Sequence, residues 1–249
     1  MSKHFFFMSG LPRTGSTVLS AILSQNPKIH SGTASPVCPT MWDLTLGFSQ
    51  SSIQEMSVAN RPEFQTELIR NVPHLYYKDV NKPFIVDKSR DWLHPRNMRM
   101  IRNHINPDPK VLVLLRDKEA IIDSFTRVWK ENGVTGGELK YLIEDATWKM
   151  TYYCEEIIPT VKASQDIIKG NNVYRGDPVS DNEQFLFIEY DKFMEDPSET
   201  LNSIYRFFKL EPYEHDFENI FPAEVENDSA IGSAWKNLHT VRPILEPVG

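Results

Sequence analysis

The sequence predicts an α/β fold: a single three-layer domain with helices on both faces of a mainly parallel central sheet. Three observations predict it. Apolar runs of strand length alternate with segments of helical periodicity. Val111–Leu115 is wholly aliphatic, as a strand covered on both faces must be. The apolar run Phe5 to Met8 ends in Ser9-Gly10 and a short loop, after which an apolar helical pattern begins. That strand–loop–helix unit is the one that holds an anion in its backbone amides. At 249 residues, 40% hydrophobic, the chain suits one domain over 1–249.

In order, Lys3–Ser9 reads as a buried strand. Ser16–Gln25 reads as a helix with Val18, Leu19, Ile22 and Leu23 on one side, ended by Asn26-Pro27. Lys28–Ser31 is a candidate short strand. Residues 33–60 hold Ser, Thr, Pro and Gln clusters and read as a long loop with one helical turn, the kind of segment that forms a substrate wall. Pro62–Tyr77 is helical in pattern. Phe84-Ile85-Val86 is a strand ending at Asp87-Lys88, and Arg96–Asn106 is helical. After Val111–Leu115, Asp117 can cap a helix whose inner side is Ile121, Ile122, Phe125, Val128 and Trp129. A glycine-rich break from Gly133 to Gly137 leads to a long helix over Glu138–Lys169. Phe185–Ile188 is the last clear strand. Asp196-Pro197-Ser198-Glu199 is a capping box with proline at the first helical position, and Leu201, Ile204, Tyr205 and Phe208 form that helix's apolar face. Residues 212–249 are irregular.

Composition excludes several function classes. No apolar run approaches the ~20 residues of a membrane span. Phe5 to Met8 is shorter than the roughly 7–15 residues of a signal-peptide core, so a soluble cytoplasmic protein with no membrane partner is expected. Cys38 and Cys154 are too few for a disulfide scaffold or zinc site and are expected to be free thiols. The net charge of -7 argues against nucleic-acid binding. Its distribution is uneven. Residues 78–130 carry twelve Lys/Arg against seven Asp/Glu, whereas 211–228 carry seven Asp/Glu and no Lys or Arg. The basic stretch suits an anion-binding cleft; the acidic one reads as solvated surface.

The loop Gly10-x4-Gly15-Ser16-Thr17 has Walker A spacing with one change: the lysine expected before Thr17 is Ser16, and the loop's cation is Arg13. Glycines at 10 and 15 permit tight turning, and Ser16 and Thr17 add hydroxyl donors at a helix N-terminus. Arg116 ends the aliphatic strand, with Ser124 eight residues on; a guanidinium fork plus a hydroxyl suits a phosphate monoester. Asp87-Lys88-Ser89-Arg90 follows another strand. Gly10, Lys88, Arg116 and Tyr190 all follow predicted strands, so they are expected to gather at the sheet's carboxyl edge.

At these residues the chain resembles the sulfotransferases that use 3′-phosphoadenosine 5′-phosphosulfate (PAPS). Ser-Gly-Leu-Pro-Arg-Thr-Gly-Ser-Thr is similar to their 5′-phosphosulfate loop, and Arg116-Asp117 with Ser124 to their 3′-phosphate element. Tyr190-Asp191-Lys192 leading to Asp196-Pro197 is similar to their Tyr-Glu-Asp…Pro segment, and Gly232 with Trp235-Lys236-Asn237 to their C-terminal cofactor loop. The resemblance implies the P-loop NTPase-like sulfotransferase fold. It implies that Pro12, Arg13, Thr14, Gly15, Ser16 and Thr17 hold the phosphosulfate and that Arg116 and Ser124 hold the 3′-phosphate. Tyr190 would lie near adenine, Lys236 would touch the cofactor, and Arg13 and Lys88 would be the catalytic cations. No metal is required in that family. The acceptor would be a hydroxyl or amine of a small molecule, glycan or peptide, with 33–60 and 133–140 shaping its site and Trp42, Phe48, Trp129 and Trp148 as aromatic candidates for its lining.

The chain departs from the family at two points. Where cytosolic members carry a histidine two residues after the lysine, it has Arg90, and Gly32-Thr33-Ala34-Ser35 lacks the glutamate of tyrosylprotein-type members. Asp87, His94, His30 and Asp43 remain as candidate bases. Asp228-Ser229-Ala230 stands where an Arg-Lys-Gly clamp is usual, leaving Lys236, His239 and Arg242 as substitutes. A P-loop small-molecule kinase and a non-catalytic nucleotide-binding protein stay open as alternatives.

Overall fold

The computed structural model describes residues 3–164 and 184–245. Five strands, β1 (His4–Gly10), β2 (Ile29–Ala34), β3 (Phe84–Lys88), β4 (Val111–Leu115) and β5 (Phe185–Glu189), form one sheet in the order β2-β3-β1-β4-β5. Every pairing is parallel, with Phe6 opposite Val86 on one side of β1 and Met8 opposite Leu112 on the other. Parallel strands are joined by crossovers, and here the crossovers are helical.

Alternation along β1 divides the core. Phe5 and Phe7 face one layer, with Ile85, Val111 and Val113, against helices α2 (Val37–Leu46), α4 (Phe64–Tyr76) and α5 (Pro95–His104). Phe6 and Met8 face the other, with Val86, Leu112 and Leu114, against α1 (Ser16–Leu23) and a C-terminal helix over Pro197–Phe208. The Phe6 and Phe208 rings stack at 3.9 Å. Helices α6 (Lys118–Glu131) and α7 (Gly136–Tyr152) form a third cluster, which Ala234 and Leu238 complete. A wholly apolar β4 is therefore what this sheet needs at its centre.

The long loop expected over 33–60 is instead β2 continued to Ala34, then α2, then α3 (Gln50–Val58). Helix α2 forms because Val37, Cys38 and Met41 share one buried side. Pro39 lies in its first turn, where a missing N–H costs nothing. Helix α3 buries no residue and starts at a true cap, Ser49, whose hydroxyl accepts from the Ser52 amide. Beyond α7 the chain passes through a π turn (Tyr153–Ile157) and stays helical to 164; residues 165–169 of the expected long helix lie outside the described residues.

Asp117 caps α6 by accepting from the Ala120 amide at 2.9 Å, and Asp196 caps α9 (Pro197–Phe208) by accepting from Glu199. The reciprocal half of the expected capping box does not form. The Asp196 amide is already bonded to the Lys192 carbonyl at the end of α8 (Tyr190–Glu195), and Glu199 turns to Arg206 instead. After residue 212 short 3-10 turns alone interrupt irregular chain among the described residues, as expected. No described helix is long and apolar enough to cross a membrane.

Candidate functional site

The carboxyl edge of the sheet opens into one cavity of about 1190 Å³. Its floor is the loop between β1 and α1. Gly10 has φ 131°, and a Cβ there would stand 2.2 Å from the Leu114 carbonyl oxygen, so only glycine lets β1 approach β4 this closely. Arg13 (φ 58°) and Gly15 (φ 75°) turn the chain through left-handed conformations. The buried Thr14 hydroxyl donates to the Leu11 carbonyl and ties the loop from inside.

Helix α1 then starts with no side-chain cap and no acidic residue in its first turn. Its first amides have no intrahelical acceptor, and the helix dipole leaves partial positive charge there. Gly15, Ser16, Thr17 and Val18 line the cavity at that point. An uncapped helix start facing a cavity is an anion-binding element without an anion of its own.

Three cations converge on it. Arg13 Nε donates to Ser124 Oγ at 2.9 Å, and its Nη1 donates to the Leu238 carbonyl. Arg116 Nη1 donates to the Arg13 carbonyl at 2.8 Å, and its guanidinium carbon sits 4.1 Å over the Tyr190 ring. Burial, then the neighbouring Arg116 charge, lowers the Arg13 pKa, so this like-charged pair favours a multiply charged anion. Lys88, from the next strand, forms an ion pair with Glu226 at 2.8 Å.

The structure brings Pro12, Arg13, Gly15, Ser16, Thr17, Lys88, Arg116, Ser124 and Tyr190 onto this one cavity. Thr14 lies beneath it, and Lys236 is not on its lining; the Lys236 carbonyl accepts from Asn132 at 2.9 Å. From 33–60 the cavity receives Ala34, Ser35 and Pro39, and from 133–140 nothing. The aromatic wall comes from further along α7 and its π turn: Trp148, Tyr152 and Tyr153. Trp42 packs under the Arg96 guanidinium and Trp129 is fully buried.

The four candidate bases fare differently. Asp87 is 1% exposed, and its oxygens are occupied: Ser35 (2.6 Å) and Tyr77 (2.8 Å) donate to Oδ2, and the Trp92 indole (2.6 Å) donates to Oδ1. It holds β3 to its neighbours. Asp43 is exposed on α2, His94 sits at the first position before α5 without a side-chain cap, and His30 lies 3.7 Å from Glu224; none lines the cavity.

Glu226 and Asp228, from the acidic stretch expected on the solvated surface, turn into the site instead and meet His239 there. His239 lines the cavity, and its Nδ1 lies 2.5 Å from Asp228 Oδ1 and 3.1 Å from Glu226 Oε2. The His239 amide also donates to Asp228 Oδ2 at 2.9 Å. Both carboxylates are nearly buried, with side chains 14% and 10% exposed. Glu224 is engaged elsewhere, accepting from the Thr33 hydroxyl at 3.1 Å, so the alternation Glu224, Glu226, Asp228 does not by itself mark the site. Val225 between them is 86% exposed. The ligating atoms of Glu226, Asp228 and His239 lie within 4.8 Å of one another, but the Lys88 ammonium on Glu226 opposes a metal cation there.

Comparison with known proteins bears on the family and the fold. A family model described as the sulfotransferase family matches residues 6–215. A search of curated protein sequences returned no significant match. Among solved structures, the chain is similar to the sulfotransferase domain of the Synechococcus PCC 7002 olefin synthase, at 18% identity and TM-score 0.52, covering 98% of this chain and 91% of that one. A sulfotransferase from Alicyclobacillus acidocaldarius matches at 16% identity and TM-score 0.49, over 87% and 85% of the two chains. The olefin-synthase likeness supports the P-loop-like α/β fold, and the family match runs from within β1 through β5, taking in the loop and the Arg116–Ser124 pair: the chain belongs to the sulfotransferase family.

Proposed function

We propose that this protein transfers a sulfuryl group from PAPS to a hydroxyl or amine of a small-molecule acceptor. The observation that carries the reading is the Arg13–Arg116 pair beside the uncapped start of α1, with Ser124 bonded to Arg13. These donors fit a ligand with two separate phosphate groups: the cations and amides are on one cavity, and its volume accommodates a nucleotide with an acceptor. When bound, PAPS supplies the sulfuryl group and a phosphate that leaves.

Arg13 and the α1 amides would stabilise charge as it builds on the leaving phosphate. Lys88, with two further N–H donors beside its bond to Glu226, would neutralise the transferring oxygens. Arg116 and Ser124 would hold the 3′-phosphate, and the Tyr190 ring fixes the plane of Arg116. Trp148, Tyr152 and Tyr153 supply an apolar wall for the acceptor. The free thiols of Cys38 and Cys154 suit a reducing compartment and support a cytoplasmic location.

A kinase would need a carboxylate for magnesium near the loop. Asp87 offers no open oxygen for that, which supports the sulfuryl-transfer reading. Titration calorimetry tests it. The expected result is metal-independent binding of 3′-phosphoadenosine 5′-phosphate, much tighter than ADP. Magnesium-dependent ATP binding in its place would overturn the reading.

A further inference from the structure

We infer that His239, oriented by Asp228, is the general base that takes the acceptor's proton. The inference rests on the sulfuryl-transfer reading above. Two tethers bracket the imidazole between the cations of the site. On one side Glu226 bridges Lys88 Nζ (2.8 Å) and His239 Nδ1 (3.1 Å). On the other, the carbonyl of the preceding residue, Leu238, accepts from Arg13. The backbone is pinned as well, by the His239 amide on Asp228 and by Asn132 on the Ala234 and Lys236 carbonyls.

This arrangement selects a tautomer. Nδ1 faces two carboxylate oxygens, which accept and do not donate, so the proton resides on Nδ1. Nε2 then carries the lone pair, and it has no partner among the described residues of a side chain that lines the cavity. A base needs its orienting carboxylate on one nitrogen and substrate on the other.

The acceptor oxygen or nitrogen bonds to sulfur while the bond from sulfur to the donor's phosphate oxygen breaks. That electron pair leaves with the phosphate, and the acceptor's proton moves to His239 Nε2. The resulting imidazolium is held by Asp228 and Glu226. Asp228 is a positioning residue in this scheme. Glu226 has its oxygens taken by Lys88 and His239 and serves as their shared counter-charge.

The test runs the transfer backwards, with 3′-phosphoadenosine 5′-phosphate as acceptor and 4-nitrophenyl sulfate or phenyl sulfate as sulfuryl source. In reverse, His239 returns its proton to the departing oxygen. The weakly basic 4-nitrophenolate needs little help, and phenolate needs much. His239→Gln should slow phenyl sulfate by roughly 100-fold or more, and 4-nitrophenyl sulfate far less. Calorimetric affinity for the bisphosphate should stay near that of the parent. Asp228→Asn should show the same selectivity at smaller amplitude. Nitrogen-15 NMR of the parent should show His239 protonated on Nδ1, a readout that needs no variant to fold.

Equal loss for both sulfates, no loss, or a proton on Nε2 would overturn the inference while leaving the donor site intact. A selective loss in Glu226→Gln that His239→Gln lacks would move the base to Glu226 and also overturn it. A parent that binds the bisphosphate but transfers from neither sulfate sinks the catalytic reading itself. A parent that does not bind it sinks the donor assignment.

Discussion

Asp87 and Lys88 are sequence neighbours with opposite jobs. The strand alternates them to different environments, the carboxylate into the core with Ser35, Tyr77 and Trp92, the ammonium to the cavity with Glu226. Burial next to the carboxylate pushes the Tyr77 phenol well up, so it stays a donor. Asp87→Asn replaces one acceptor oxygen with a donor that faces a donor. It should cost about 1–3 kcal/mol, seen as a lower urea midpoint at unchanged slope. Lost turnover at unchanged stability would instead make Asp87 a chemical participant. Arg116→Ala tests the other side of the cavity. It should weaken 3′-phosphoadenosine 5′-phosphate by roughly 10–100-fold, as expected for a charge-assisted bond, and adenosine 5′-monophosphate little. Equal loss for both ligands would remove the 3′-phosphate assignment. Arg13, Lys88 and Arg116 were legible in the sequence because each follows a predicted strand, and strand ends converge. Glu226 was not, since its partnership with Lys88 spans 138 residues and no local pattern encodes it, and His239 was expected only as a substitute for the phosphate clamp.

At the scale of elements, the strands and most helices were legible because they bury a continuous stripe. Val111–Leu115 and the Ile121, Phe125, Trp129 side of α6 are examples. Helix α2 was hidden by composition: its Ser, Pro and Thr neighbours suggested loop, while its short apolar side packs under α4 and α5. The cavity's aromatic wall was legible only at Trp148, which lines it as expected; Tyr152 and Tyr153 were missed for a related reason. Glycines at 133, 136 and 137 marked a turn, with nothing within 4 Å of a built Cβ at any of them, and the working surface began further along α7. Helix α6 joins fold to site, since it carries Ser124 and, through Asn132 just past its end, holds the segment before His239. Asp117→Ala removes its cap and should cost about 1 kcal/mol, measured by chemical denaturation. Asp117→Asn or Asp117→Ser should recover most of it, because either side chain still accepts from the Ala120 amide.

For the whole molecule, the histidines set an acid limit on stability. His4, His30, His94, His104 and His215 are all lowered from 6.5, with burial the first cause in each. His215 is lowered furthest, to about 4; its ring bridges Tyr205 OH (3.0 Å) and Gln25 Oε1 (3.3 Å), tying the segment after α9 to the end of α1. The unfolded chain takes up protons near pH 6.5 that the folded chain refuses until lower pH. Stability from these groups is therefore complete above about pH 6.5 and declines as pH falls through the folded values. Asp87 works in the opposite direction, since burial raises it and its protonation relieves a cost as pH drops. The histidine share is therefore read from the difference between the parent and a His215 variant, which keep Asp87 in common. The melting temperature should fall steadily from pH 6.5 to pH 4. His215→Gln should lower it at pH 7 by breaking the bridge, yet flatten its slope across that window. Scanning calorimetry at half-unit pH steps measures both, and equal slopes in the parent and His215→Gln from pH 6.5 to 4 would mean that His215 charges as easily in the folded protein as outside it.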